Sequence, residues 1–211
     1  MTPAQPQHLV IFVDFDGTAA EEIASNRLLE RFAEGDWREW DQQFDEGKIS
    51  FKDCVLEQFS MLAGTREEMS EFSRRELRLR AGFHEFVQYC RARDYEIHIL
   101  SEALDFMIHA ILEREGLGNL PVYCDRAVFN SNRLVRVELP HFCEDCHCKA
   151  GNCKGGHVEK LRDRYDFIVY IGDGSNDLCP AKKRISSSPA ADWQSSAKRR
   201  ASSTIRLRIF I

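Results

Sequence analysis

Two unbroken apolar runs, far apart in the chain, end in the same way. Leu-Val-Ile-Phe-Val at 9–13 stops at Asp14, and Phe-Ile-Val-Tyr-Ile at 167–171 stops at Gly172-Asp173. Neither run alternates with polar residues, so each reads as a strand buried on both faces. Two-sided burial requires helices above and below a sheet, and the stretches between the runs supply helical patterns. The chain is therefore expected to be α/β, with a parallel sheet wound by right-handed crossovers. In open sheets of this kind, ligands gather at the carboxyl ends of the strands. A bare carboxylate ending a buried strand has little structural use, which marks Asp14 and Asp173 as candidates for chemistry.

The intervening pattern is helical from about residue 20 to 80. Ile23, Leu28, Leu29 and Phe32 form one apolar stripe, closed by Gly35. Val55, Leu56, Phe59 and Leu62 form another, opened by Ser50 as N-cap, and Thr65 with Glu68 gives a capping box for a third helix. A further unit follows, with a helix carrying Phe83, Phe86, Val87 and Cys90, a strand at 95–100 that ends at Ser101, and a helix at 103–115. Apolar stretches on either side of Asn130-Ser131-Asn132 predict a hairpin. A cysteine-rich loop at 143–153 and a helix at 156–164 lead into the strand at 167–171. The expected division is a core of residues 8–19 and 81–182, a helical insert at 20–80 and an atypical tail at 183–211.

Charge and composition exclude several functions. Hydrophobic residues make up 43% and charged residues 30%, the balance of a folded globular protein. Residues 181–211 hold eight of the 29 basic residues and one of the 34 acidic ones, so an acidic body carries a basic tail. An acidic body argues against nucleic acid as a partner. No apolar run approaches the roughly 20 residues of a membrane helix. The first residues lack a basic, then hydrophobic, export signal, so a cytoplasmic location is expected. Eight cysteines in that setting predict reduced thiols or a metal site. The sequence carries no signal for an oligomeric state.

Asp14, Asp16, Asp173 and Asp177 would converge on one sheet edge, where four carboxylates need a cation. Mg²⁺ suits a hard oxygen set, and phosphate chemistry is its natural use. Here the motifs resemble those of haloacid dehalogenase superfamily phosphatases. Asp14-Phe-Asp16-Gly-Thr18 is similar to the first, Ser101 after a strand to the second, a lysine near a helix start to the third, and Gly172-Asp173-Gly-Ser-Asn-Asp177 to the fourth. The resemblance spans roughly residues 9–182.

That resemblance implies a Rossmann-like core with a small helical cap and an aspartyl-phosphate mechanism. Asp14 would be the nucleophile and Asp16 the general acid and base. Asp14, Asp16, Asp173 and Asp177 would surround Mg²⁺, while Thr18, Ser101 and Lys154 would hold phosphate. Lys160 is the runner-up to Lys154 and reads as a surface charge. The cap and the cysteine-rich segment match the phosphoserine phosphatase group, and within it the branch of methionine-salvage and phosphoethanolamine/phosphocholine phosphatases. Ser101-Glu102-Ala103 departs from the family pattern, in which glycines commonly follow the serine. The implied substrate is a small soluble phosphorylated metabolite, contacted by cap residues such as Glu21, Glu22, Trp37 and Trp40 unless these only pack the cap or face water.

Two features keep alternatives open. Cys143, Cys146, Cys148 and Cys153 offer four soft ligands for Zn²⁺, or else reduced thiols that pack a loop. The stretch from Arg184 onward holds seven serines and several arginines, without a core-strand pattern until Ile205-Arg-Leu-Arg-Ile-Phe-Ile, which comes late and is basic. Back-translation one nucleotide out of phase permits strand-like and helix-like sequence in its place, so a frameshift near Lys183 is expected. Under that reading the alternative function is an inactive or weakly folded remnant with at most a binding role.

Overall fold

Strand β1 (Leu9–Asp14) is the element around which the sheet is built. It pairs in parallel with β2 (Glu96–Leu104) on one side and with β5 (Phe167–Gly172) on the other. The computed structural model describes residues 8–172 and the backbone of Arg206–Phe210. Strand β2 pairs in parallel with β3 (Val122–Asn130), and β4 (Arg133–Glu138) closes that side antiparallel to β3. With β6 (Arg206–Phe210) antiparallel to β5, the order is β4-β3-β2-β1-β5-β6. Ser131 and Asn132, both at positive φ, make the hairpin turn, a conformation that asparagine tolerates.

The central position of β1 explains its unbroken apolar run. Val10 and Phe12 enter one buried cluster with Leu100, Ile168 and Tyr170. Ile11 and Val13 enter the larger cluster on the opposite face. Helices α5 (Phe83–Arg91) and α6 (Asp105–Arg114) contribute Val87, Cys90, Met107 and Ile111 to that larger cluster. Residues between β1 and α5 form α1 (Ala24–Phe32), α2 (Arg38–Asp45), α3 (Phe51–Ser60) and α4 (Arg66–Glu76). Ser50 and Thr65 cap α3 and α4 through complete capping boxes with Asp53 and Glu68. Arg114 of α6 donates to the carbonyls of Leu77 (2.8 Å) and Arg74, taking up orphan acceptors at the end of α4.

The structure differs from the sequence reading at four points. Strand β2 runs past Ser101 to Leu104, with its pairing to β3 irregular between Leu100 and Leu104. Helix α7 (Lys154–Leu161) begins right after the expected loop, two residues before the expected start at 156, and ends at Leu161, before the expected 164. Ile23, assigned to the first apolar stripe, lies outside α1 and is 49% exposed. Arg206–Phe210 pairs as an edge strand despite its position and charge, so the side of β5 away from β1 is occupied. Among the described residues no helix is long and apolar enough to cross a membrane.

Candidate active site

The turn after β1 sets the site. Gly17 has φ of 69°, which a residue with a Cβ adopts only under strain, and it reverses the chain right after Asp16. Arg80 holds that turn by donating to the carbonyls of Thr18 (2.9 Å) and Gly17. Asp14 is 7% exposed, and its Oδ1 accepts from the Phe15 amide at 2.8 Å. Asp16 accepts from the amides of Ala24 (3.0 Å) and Ser25 (3.4 Å), so it faces the first turn of α1. Burial pushes the Asp16 carboxyl above the usual range and outweighs the hydrogen bonds from Ser25 and Ala24 that pull the other way.

Lys154, brought from the far end of the core, meets Asp14 across the sheet edge. Its Nζ stands 2.8 Å from Asp14 Oδ1 and 3.8 Å from Glu102 Oε2, with the ammonium almost fully buried. Ser101 is buried beside them, and its Oγ accepts from the Ala103 amide at 3.0 Å. Register explains the meeting, because Asp14 pairs with Leu100, one residue before Ser101. Asn152 fastens the loop before α7. Its Nδ2 donates to the carbonyls of Ser101 (2.9 Å) and Tyr123 (2.7 Å), and its Oδ1 lies 2.8 Å from His157 Nε2. Since Asn152 Oδ1 can only accept, His157 carries its proton on Nε2. Burial lowers the His157 pKa to about 4, keeping that imidazole neutral.

A cavity of about 460 Å³ opens above these groups. Its floor is Asp14, Asp16, Ser101, Glu102 and Lys154. Its roof is Ser25 and Asn26 of α1, Asp41, Phe44 and Asp45 of α2, and Phe51, Val55 and Phe59 of α3. Phe44 and Phe51 meet edge to face at 5.2 Å, and Gln58 donates to Asp41 at 2.8 Å. Ile23 also lines the cavity, which accounts for its exposure.

The four cap residues offered either to the substrate or to cap packing and solvent do not line this cavity. Trp37 is packed into the main core, Glu21 and Glu22 are exposed, and Trp40 is half-buried. Thr18 is buried without lining the cavity, and Lys160 is exposed on α7. Sequence reasoning missed Asn152, Arg80 and the α2 and α3 lining. Glu102 was noticed only as a departure from glycine, and it turns toward Lys154. Asp173 and Asp177 lie outside the described residues.

Of the four cysteines expected to act together, the structure gathers three. Cys146, Cys148 and Cys153 have their Sγ atoms within 4.8 Å of one another, and Cys143 stands outside the group. The donors at the cavity floor are of a different kind. Asp14 and Asp16 offer hard oxygen and suit Mg²⁺.

Comparison with known proteins points the same way. The family model described as Putative Phosphatase matches residues 9–191. A 2-hydroxy-3-keto-5-methylthiopentenyl-1-phosphate phosphatase of Brevibacillus brevis is 33% identical over 82% of this chain and 79% of its own length. The protein of the same name from Geobacillus kaustophilus is 34% identical over 84% of this chain and 80% of its own. A phospho-aspartyl intermediate analogue of phosphoserine phosphatase shares the fold at a TM-score of 0.64, with 23% identity over 85% of this chain and 84% of its own. A substrate-bound phosphoserine phosphatase gives 0.65 at 22% identity over the same shares, 85% and 84%.

Proposed function

This chain belongs to that phosphatase family, within the phosphoserine phosphatase-like group of the haloacid dehalogenase superfamily, and on that premise we propose that its cavity hydrolyses a small phosphate monoester through Asp14. The observation that carries the reading is the buried Asp14–Lys154 pair at the floor of a cavity shared with Asp16. A carboxylate oxygen of Asp14 attacks phosphorus, and the bond from phosphorus to the ester oxygen breaks. Asp16, whose raised proton affinity keeps it protonated further up the pH scale, gives its proton to the leaving oxygen. Asp16 then takes a proton from water as that water attacks phosphorus, and the bond to Asp14 breaks, releasing phosphate and restoring both carboxyls. Lys154 and the Ser101 hydroxyl meet the charge on the transferring phosphoryl oxygens.

Mg²⁺ would be held by the Asp14 carboxylate and the Asp16 main-chain carbonyl, with Asp173 and Asp177 as further oxygen ligands, and would neutralise phosphate charge. The roof favours a leaving group with a cationic end. Asp41 and Asp45 supply negative charge next to the rings of Phe44, Phe51 and Phe59, and aromatic faces attract cations. A cavity of about 460 Å³ suits a metabolite rather than a macromolecule.

The test is release of p-nitrophenol from p-nitrophenyl phosphate by the 211-residue chain, with and without Mg²⁺, beside the folded Asp14→Asn variant. Mg²⁺-dependent turnover that vanishes in the variant is expected. Turnover that survives the substitution overturns the nucleophile assignment, and a folded wild type with no turnover on any ester favours the remnant reading. Comparing an aminoalkyl phosphate with an uncharged alkyl phosphate tests the roof. Higher kcat/KM for the amine is expected, and equal values overturn a cationic preference.

A further inference from the structure

The reaction makes no use of the three gathered cysteines. Cys148 Sγ stands 3.2 Å from Cys146 Sγ and 3.8 Å from Cys153 Sγ. A disulfide would need about 2.05 Å. A tetrahedral ion bound at about 2.3 Å per sulfur sets its ligands about 3.8 Å apart, which the Cys148–Cys153 pair meets and toward which the Cys146–Cys148 pair, at 3.2 Å, would have to open. We propose that Cys146, Cys148 and Cys153 form a structural site for a soft cation of the zinc class, separate from the hard-oxygen site at the cavity floor.

Two further observations support a metal over thiols that merely pack. The segment between β4 and α7 has no regular structure, yet it buries Cys146, Ala150, Gly151, Asn152 and Cys153. Alanine and glycine offer little apolar area to hold such a loop, whereas an ion bridging three sulfurs closes it directly. The loop is also shaped around the sulfurs. Cys146 donates its amide to the Cys143 carbonyl at 3.2 Å, Lys149 adopts φ of 46°, and the Cys153 amide reaches the His141 carbonyl at 3.0 Å. These turns bring residues seven positions apart in sequence together at one point.

Softness separates the two sites. Thiolates select zinc-class ions, and carboxylates select magnesium. Cys146 and Cys153 are buried and Cys148 is half-buried, an enclosure that suits a structural site. The location links the site to the pocket, because Cys153 directly precedes Lys154 at the start of α7. An ion on Cys153 would fix the first turn of α7 and hence the Lys154 ammonium against Asp14. These cysteines would then be positioning residues.

The experiment reads metal rather than activity. Protein purified in reducing buffer and dialysed against metal-free buffer is analysed for zinc, then stripped and titrated with Co²⁺. About one equivalent of zinc is expected. A thiolate-to-cobalt charge-transfer band should appear, be lost in Cys148→Ser and persist in Cys143→Ser. In native thiol titration a chelator should expose three further thiols, while the buried Cys54, Cys90 and Cys124 stay protected with or without it. Absence of zinc, of the cobalt band and of any chelator-dependent rise in reactive thiols overturns the proposal. So does protection that yields to reductant and not to chelator, since that is a disulfide. If Cys148→Ser does not fold by circular dichroism, the wild-type metal count, the chelator response and Cys143→Ser still decide the question.

Discussion

Two acids of raised proton affinity differ in what their surroundings ask of them. Asp16 has protein amides on its oxygens and faces the cavity, so its raised proton affinity serves a transferable proton. Asp16→Asn keeps the shape and removes the proton, and kcat should fall about 10²–10⁴-fold with KM little changed, as steady-state kinetics would show. Asp125 is fully buried, and among the described residues neither of its oxygens has a hydrogen-bond partner. Burial, with Glu102 nearby, pushes its pKa up to about 9 from 3.8. Between those values the folded chain holds a proton that the unfolded chain has lost, so this group's contribution to stability falls as pH rises. Asp125→Asn cannot ionise, and its stability relative to wild type should grow from about pH 5 to about pH 8 in urea unfolding. A constant difference across that range would mean that Asp125 does not titrate as its burial implies.

At the scale of elements, local signals were legible and long-range meetings were not. The Thr65 cap was visible because a capping box fixes residue types three apart, and Ser50 because an N-cap residue stands at the head of an apolar stripe; its box with Asp53 was not foreseen. The runs of β1 and β5 were visible because two-sided burial leaves no room for alternation. By contrast, Asp14 meets Lys154 across 140 residues of chain, and Asn152 reaches Ser101 across 51. No local periodicity encodes those distances, so Lys154 was found through a motif and Asn152 was missed. The tryptophans of the cap left two readings open for a related reason. An aromatic residue in an amphipathic helix looks the same in sequence whether it faces core or cavity, and Trp37 faces core. Helix α3 connects this scale to function because Phe51, Val55 and Phe59 roof the cavity. Ser50→Ala removes its N-cap and should cost about 1 kcal/mol, read as a lower urea midpoint. An unchanged midpoint would show that packing, and not the cap, holds α3.

For the molecule as a whole, the vulnerable place is the β5 side of the sheet. Strand β5 leads into Gly172-Asp173, the expected fourth motif, so its stability bears on the catalytic edge. The sequence reading left β5 without an outer neighbour, yet Arg206–Phe210 pairs along it, from Ile168 opposite Phe210 to Gly172 opposite Arg206. That strand arrives through serine-rich and arginine-rich sequence, and the family match ends within this stretch, at residue 191. We propose that the reading frame changes near Lys183 and that β6 substitutes for the edge a continuous frame would supply, which resequencing the gene would test. An unpaired edge beside the buried Ile168 and Tyr170 exposes backbone donors and acceptors that invite pairing with another chain. A chain cut before β6 should therefore lose thermal stability and move into aggregates on size-exclusion chromatography, although Asp14, Asp16, Ser101 and Lys154 are untouched. Phosphatase activity should fall with the soluble fraction, leaving kcat per folded molecule unchanged. If the shortened chain stays soluble and melts where the full chain does, β6 contributes nothing and the core is complete without it.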